Sequence, residues 1–74
     1  MSKLPTLSAE KLIKILKKKG FVLDRIKGSH HIYYNAQTKS RVVVPFHKKD
    51  LPKGTLLEIL RQAGLSKEEV KELM

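Results

Sequence analysis

An α+β two-layer sandwich of order α-β-β-β-α(-α), a three-stranded antiparallel sheet with its helices on one face, is the fold this sequence predicts. Three observations carry it. Residues 9–19 bring apolar side chains round at helical spacing. Residues 21–46 hold three short β-prone runs, separated by a Gly-Ser turn and a polar loop. Residues 52–73 return to helical spacing with a break at Gly64. Each helix has one apolar stripe to bury, and one sheet face can cover them all, which leaves the other face to solvent or a partner. With 74 residues and no repeat, low-complexity tract or linker, residues 1–74 read as a single domain.

In chain order, residues 1–7 read as a short tail, with Pro5 discouraging helix before it. Ser8 is placed to cap the first helix, and Glu10 sits in its first turn, where a carboxylate suits the helix dipole. Leu12, Ile13 and Leu16 share a face with Ala9 and Ile15 at its margins, while Lys11, Lys14, Lys17 and Lys18 lie mostly elsewhere. Gly20 supplies the left-handed residue that ends this helix, and Lys17, Lys18 and Lys19 match its negative end. Residues 21–26 form the first strand, Lys27-Gly28-Ser29 a tight turn, and residues 30–35 the second strand, so the pair makes a hairpin. Asn35-Ala36-Gln37-Thr38-Lys39 is a polar loop. Residues 40–46 form the third strand around Val42, Val43 and Val44; Pro45, with no N–H to donate, marks a sheet edge or the strand's end.

A charged connection follows, and Pro52 then fits the first turn of the second helix. Its apolar face is Leu56, Leu57, Leu60 and Ala63, widened by Ile59, and Gly64 ends it. Ser66 and Glu69 make a capping box that starts a short third helix with Val70 and Leu73 turned inward.

Composition narrows the function classes. Lys and Arg total 16 against 7 Asp and Glu, a formal net charge of +9, and the pI is near 10.1. A field of that sign attracts polyanions, nucleic acid above all, although an acidic protein or an anionic membrane surface would also answer to it. Membrane insertion is not expected, since no apolar run approaches the ~20 residues a span requires, and the N-terminus lacks a continuous apolar signal-peptide core. The absence of cysteine excludes disulfides and thiolate metal sites and fits a reducing cytoplasm. The three histidines and few carboxylates do not fall into a zinc spacing, so no metal or other cofactor is expected.

The chemistry concentrates at Lys27-Gly28-Ser29-His30-His31, where proton-transfer side chains adjoin a flexible turn and dense positive charge. RNA strand cleavage can proceed without a cofactor: a base takes the proton of a ribose 2′-hydroxyl, that oxygen attacks the neighbouring phosphorus, and an acid protonates the leaving 5′-oxygen. Imidazole suits both proton steps, its unperturbed pKa being about 6.5. Gly28 would let backbone approach a phosphate, Ser29 and neighbouring amides could bind an oxygen, and Lys27, Arg25 and Lys48 could offset phosphoryl charge. Adjacent histidines on a strand face opposite ways. If Ile32 faces the helices, His30 leans inward and His31 outward; the spacing alone does not choose between them as the acid/base. His47 reaches the turn only if the strand order permits, and is otherwise a surface residue. Lys14, Lys17, Lys18, Lys19, Lys27, Lys48, Lys49 and Lys53 read either as a phosphate-binding surface or as a solvated face. Tyr33 or Tyr34 could stack on a base, one of the two being core by alternation. Asp24 could orient a histidine.

Gly28-Ser29-His30-His31 and Val44-Pro45-Phe46-His47 also carry a resemblance. With Gly20-Phe21, Leu51-Pro52-Lys53-Gly54-Thr55-Leu56 and Ile59-Leu60-Arg61-Gln62-Ala63-Gly64-Leu65-Ser66, they form an ordered set that resembles the HicA-type toxins, mRNA interferases of bacterial and archaeal toxin–antitoxin pairs. The resemblance implies a fold similar to the double-stranded-RNA-binding domain, and cleavage of mRNA that arrests translation. It implies a catalytic histidine just after the Gly-Ser turn. That residue is His30, or His31 if the alignment follows members with one residue inserted. Gly28 carries over as the turn residue needed for activity and His47 as a motif position. The implied partner is a HicB-like acidic antitoxin that covers the site.

The sequence therefore leads to a cytoplasmic type II toxin acting as a metal-independent endoribonuclease, monomeric alone or hetero-oligomeric with its antitoxin. A non-catalytic RNA-binding module on the same fold is the rival reading. A basic adaptor that meets only an acidic protein is a third.

Overall fold

The computed structural model describes residues 6–74; the expectation attached to Pro5 lies outside them. The element order is α1 (Ala9–Lys18), β1 (Val22–Lys27), β2 (His30–Asn35), β3 (Ser40–Pro45), α2 (Lys53–Ala63) and α3 (Lys67–Leu73). The strands form one antiparallel sheet in the order β1-β2-β3. This is the α+β order the periodicity predicts, with boundaries shifted by a residue or two: Lys27 joins β1, Phe21 precedes it, and Pro52 is the N-cap of α2 rather than part of its first turn.

Local chemistry explains the ends. The Ser8 hydroxyl accepts a bond from the Lys11 amide at 3.2 Å and caps α1. Gly20 follows at φ +96°, a conformation that favours glycine. Ser66 and Glu69 form the reciprocal capping box at α3.

Direct strand partners project to the same side, so the register assigns the two sheet faces. Leu23, Tyr33 and Val42 form one row on the helix side, and Ile26, His31 and Val44 form the next. The open side carries the rows Val22–Tyr34–Arg41, Arg25–Ile32–Val43 and Lys27–His30–Pro45. Val42 and Val44 are fully buried beneath α1 and α2, and Tyr33 is buried beside them. Ala9, Leu12, Ile13, Ile15 and Leu16 supply the α1 side of the core, and Leu56, Ile59, Leu60 and Ala63 the α2 side. On α2 the expected weighting is reversed: Ile59 is buried and Leu57 only half-buried. Val70 seals the core from α3, with Leu73 packed at its margin.

The helices do not cover the sheet evenly. α2 packs chiefly on β3, and α1 lies against β3 and α3. Every residue of β1 is exposed, including Val22 at 61%, Leu23 at 45% and Ile26 at 53%. The tail reading also fails at Leu7. Its side chain is buried, its carbonyl accepts the Leu51 amide at 2.8 Å, and Ser8 bridges to Asp50.

Candidate functional site

The β1–β2 hairpin closes through Gly28 and Ser29, with Lys27 and His30 as the flanking strand pair. Gly28 sits at φ +57°, where a Cβ would be strained by the backbone although nothing lies within 4 Å of its position. β2 is the central strand, so its N-terminal end also meets the C-terminal end of β3: His30 pairs with Pro45. The strand order thus permits what the sequence left conditional, and Pro45-Phe46-His47 runs past the turn. The Phe46 amide donates to the Ser29 carbonyl at 2.6 Å.

The two histidines part at this point. Ile32 lies on the open side, so the condition that would have turned His30 inward is not met. His30 is exposed on the open face, in one row with Lys27 and sharing that face with Arg25. His31 is half-buried on the helix side, where its ring stacks on Phe46 with centroids 4.5 Å apart and planes 11° apart. Among the described residues no side-chain hydrogen bond or ion pair engages Lys27, Ser29, His30, His47 or Lys48. The turn therefore presents a hydroxyl, an imidazole and an ammonium with their bonding capacity unspent. Beyond Pro45 an open depression of about 330 Å³ continues the surface, lined by His47, Lys49, Asp50, Leu51, Pro52 and Thr55 as well. A depression of about 250 Å³ between α1 and α3 is lined by apolar and lysine side chains and contains no acid/base group of the histidine kind.

Several expected contributors are placed elsewhere. Asp24 orients no histidine: it pairs with Arg41 and, at 3.5 Å, with Arg25. Tyr33 is core, and burial raises its hydroxyl above the ordinary tyrosine value, so it cannot offer a face to a base. Tyr34 is half-buried with the Arg41 guanidinium over its ring at 4.9 Å, so stacking there requires Arg41 to move. Lys18 donates to the Leu73 carbonyl at 2.7 Å and Lys19 pairs with Glu69 at 2.8 Å, which ties both to α3. Arg25 and Lys27 lie on β1 at the turn, and Lys48 and Lys49 on the segment that follows β3. Sequence reasoning missed the role of Phe46. Extending the Val42, Val44 alternation by one step would have put it on His31's side.

This combination of an exposed imidazole, a glycine turn and an adjoining strand end bearing a further histidine sits in the stretch that a family comparison matches. The family described as "HicA toxin of bacterial toxin-antitoxin" matches residues 9–65. The chain belongs to the HicA toxin family. The matched span runs from the start of α1 to just beyond α2, and so includes the whole sheet, the Gly28-Ser29 turn and both adjacent histidines. As a HicA toxin it is the toxin half of a toxin–antitoxin pair, and an antitoxin partner follows from that membership. A comparison with curated proteins found no match. Among the described residues of this HicA chain, no helix is long and apolar enough to cross a membrane.

Proposed function

We propose that this HicA toxin is a metal-independent endoribonuclease that cleaves mRNA in the cytoplasm, as one domain, with His30 moving the proton. The observation that carries the reading is the exposed His30 ring on the open sheet face, beside Lys27 and directly after the Gly28-Ser29 turn. His30 takes the 2′-hydroxyl proton as that oxygen attacks phosphorus. The P–O5′ bond breaks, leaving a 2′,3′-cyclic phosphate, and the 5′-oxygen takes up the proton that the His30 imidazolium then gives back, directly or through a water. The Ser29 hydroxyl and the amides around Gly28 bind a phosphoryl oxygen, while Lys27, Arg25 and Lys48 offset its charge. His47 lies at the same rim and serves as a further phosphate contact. The net charge of +9 supports a polyanionic substrate. A HicB-like acidic antitoxin silences the site by covering it.

The test incubates the pure protein with RNA in excess EDTA. Cleavage by the wild type, lost in His30→Ala with binding retained, is the expected result. Salt-sensitive binding without cleavage would instead make the chain a non-catalytic RNA-binding module. No salt-sensitive RNA affinity would leave an adaptor for an acidic protein.

A further inference from the structure

We propose that His31 is a positioning residue: its ring latches Phe46, and through Phe46 it holds the Gly28-Ser29 turn that presents His30. The proposal rests on the ribonuclease reading for its consequence and on the backbone geometry for its substance. β3 runs out at Pro45, which has no N–H to give the sheet. The next donor is the Phe46 amide, and it goes to the Ser29 carbonyl at 2.6 Å. That bond ties the strand end to the turn, at the residue before His30.

Phe46 lies past the last ladder position, is 38% exposed, and leads into a segment without helix or strand up to Asp50. Its position therefore depends on the ring it packs against. The imidazole of His31 supplies that ring, with centroids 4.5 Å apart at 11°. A closed circuit results. It runs from the His31 ring to the Phe46 ring, from the Phe46 amide to the Ser29 carbonyl, and back along the chain through His30 to His31. It joins the helix side of the sheet, where His31 sits, to the open side, where His30 sits. Breaking the stack frees residues 46–47 and removes the partner that fixes the turn, so fewer molecules hold His30 in the reactive orientation. What the latch requires of residue 31 is a flat ring. A proton is not needed.

The experiment compares H31A, H31F, F46A and F46L in RNA cleavage with EDTA present, alongside NMR of the full chain. Removing the stack, in H31A or F46A, is expected to lower kcat about threefold to tenfold with KM little changed. H31F should rescue most of the rate that H31A loses, and its pH–rate profile should keep the wild-type shape. In the wild type the ring protons of His31 should be shifted upfield by Phe46, and F46A should abolish that shift. The Ser29 and His30 amide resonances should move in H31A and F46A and stay in place in H31F, with F46L intermediate. If H31F loses cleavage as completely as H31A, by about 10²–10⁴-fold, His31 is itself the acid/base and the proposal is overturned. It is equally overturned if F46A leaves the Ser29 and His30 amides unmoved. Should H31A fail to fold, H31F and the two Phe46 variants carry both arms. Should the wild type cleave no RNA, the ribonuclease reading falls, and the amide shifts alone decide whether the latch exists.

Discussion

The two ends of β2 treat their polar residues in opposite ways. At the C-terminal end, Asn35 is buried at 4% exposure and its side-chain amide makes three hydrogen bonds within the protein. Its Nδ2 donates to the Lys19 carbonyl at 3.0 Å, and its Oδ1 accepts from the Gln37 and Thr38 amides at 2.9 and 3.3 Å. That side chain joins the end of α1 to the β2–β3 loop. At the N-terminal end, five and six residues earlier, His30 and Ser29 are exposed and bond to no described side chain. A polar group with all its partners inside the protein holds the fold. One left open, amid cations and beside a glycine turn, is available to something from outside.

Substitutions at the two ends should separate cleanly. The largest effect belongs to His30→Ala, expected to lower RNA cleavage about 10²–10⁴-fold while thermal unfolding stays within about 0.5 kcal/mol of wild type. A comparable fall in stability would place His30 with Asn35 as a scaffold residue. Asn35→Ala should do the reverse: lose about 1–3 kcal/mol in denaturant unfolding, because the loop amides and the Lys19 carbonyl lose their partner, with kcat of the remaining folded protein near wild type. Gly28→Ala should cost about 1 kcal/mol from backbone strain alone, since the added methyl meets nothing, and Gly28→Asn less; cleavage rates then report whether the turn's shape also matters.

The smallest effect is electrostatic. The Lys19 ammonium, and then the Ser66 amide, hold the Glu69 carboxyl below its ordinary value of 4.5. A lowered folded value means the contribution is present above the unfolded value and is lost as pH falls through the folded one. Glu69→Gln should therefore lower the melting temperature slightly at neutral pH, and the gap to wild type should close as pH falls through the acid range. It lies on the α1–α3 seam, so RNA cleavage should not respond.

Much of the fold is legible in the sequence because it is local. The apolar spacing in α1, the Ser8 cap and the Ser66–Glu69 box are set by residues three or four apart, and all three appear as expected. The polar loop hides Asn35, since nothing local tells a loop asparagine from one that bonds back to Lys19. Leu7 and Leu51 look like linker residues, and their burial follows from a bridge between segments more than forty residues apart. The Gly-Ser-His turn was legible from residue types, but which histidine faces outward was not. That depended on which parity of β2 meets the helices, and Tyr33 rather than Ile32 does so.

Uncovered β1 has a consequence for the toxin in solution. A bare sheet margin with Val22, Leu23 and Ile26 in view is a template on which other chains can nucleate fibrillar stacking. The irregularity between Leu23 and Arg25 disturbs half of it, and the like charges of Arg25 and Lys27 push identical copies apart. Repulsion of that kind fades once the Debye length shrinks to about 3 Å near 1 M salt. Concentrated toxin without its antitoxin should accordingly turn cloudy as ionic strength rises, and stay clear at low salt.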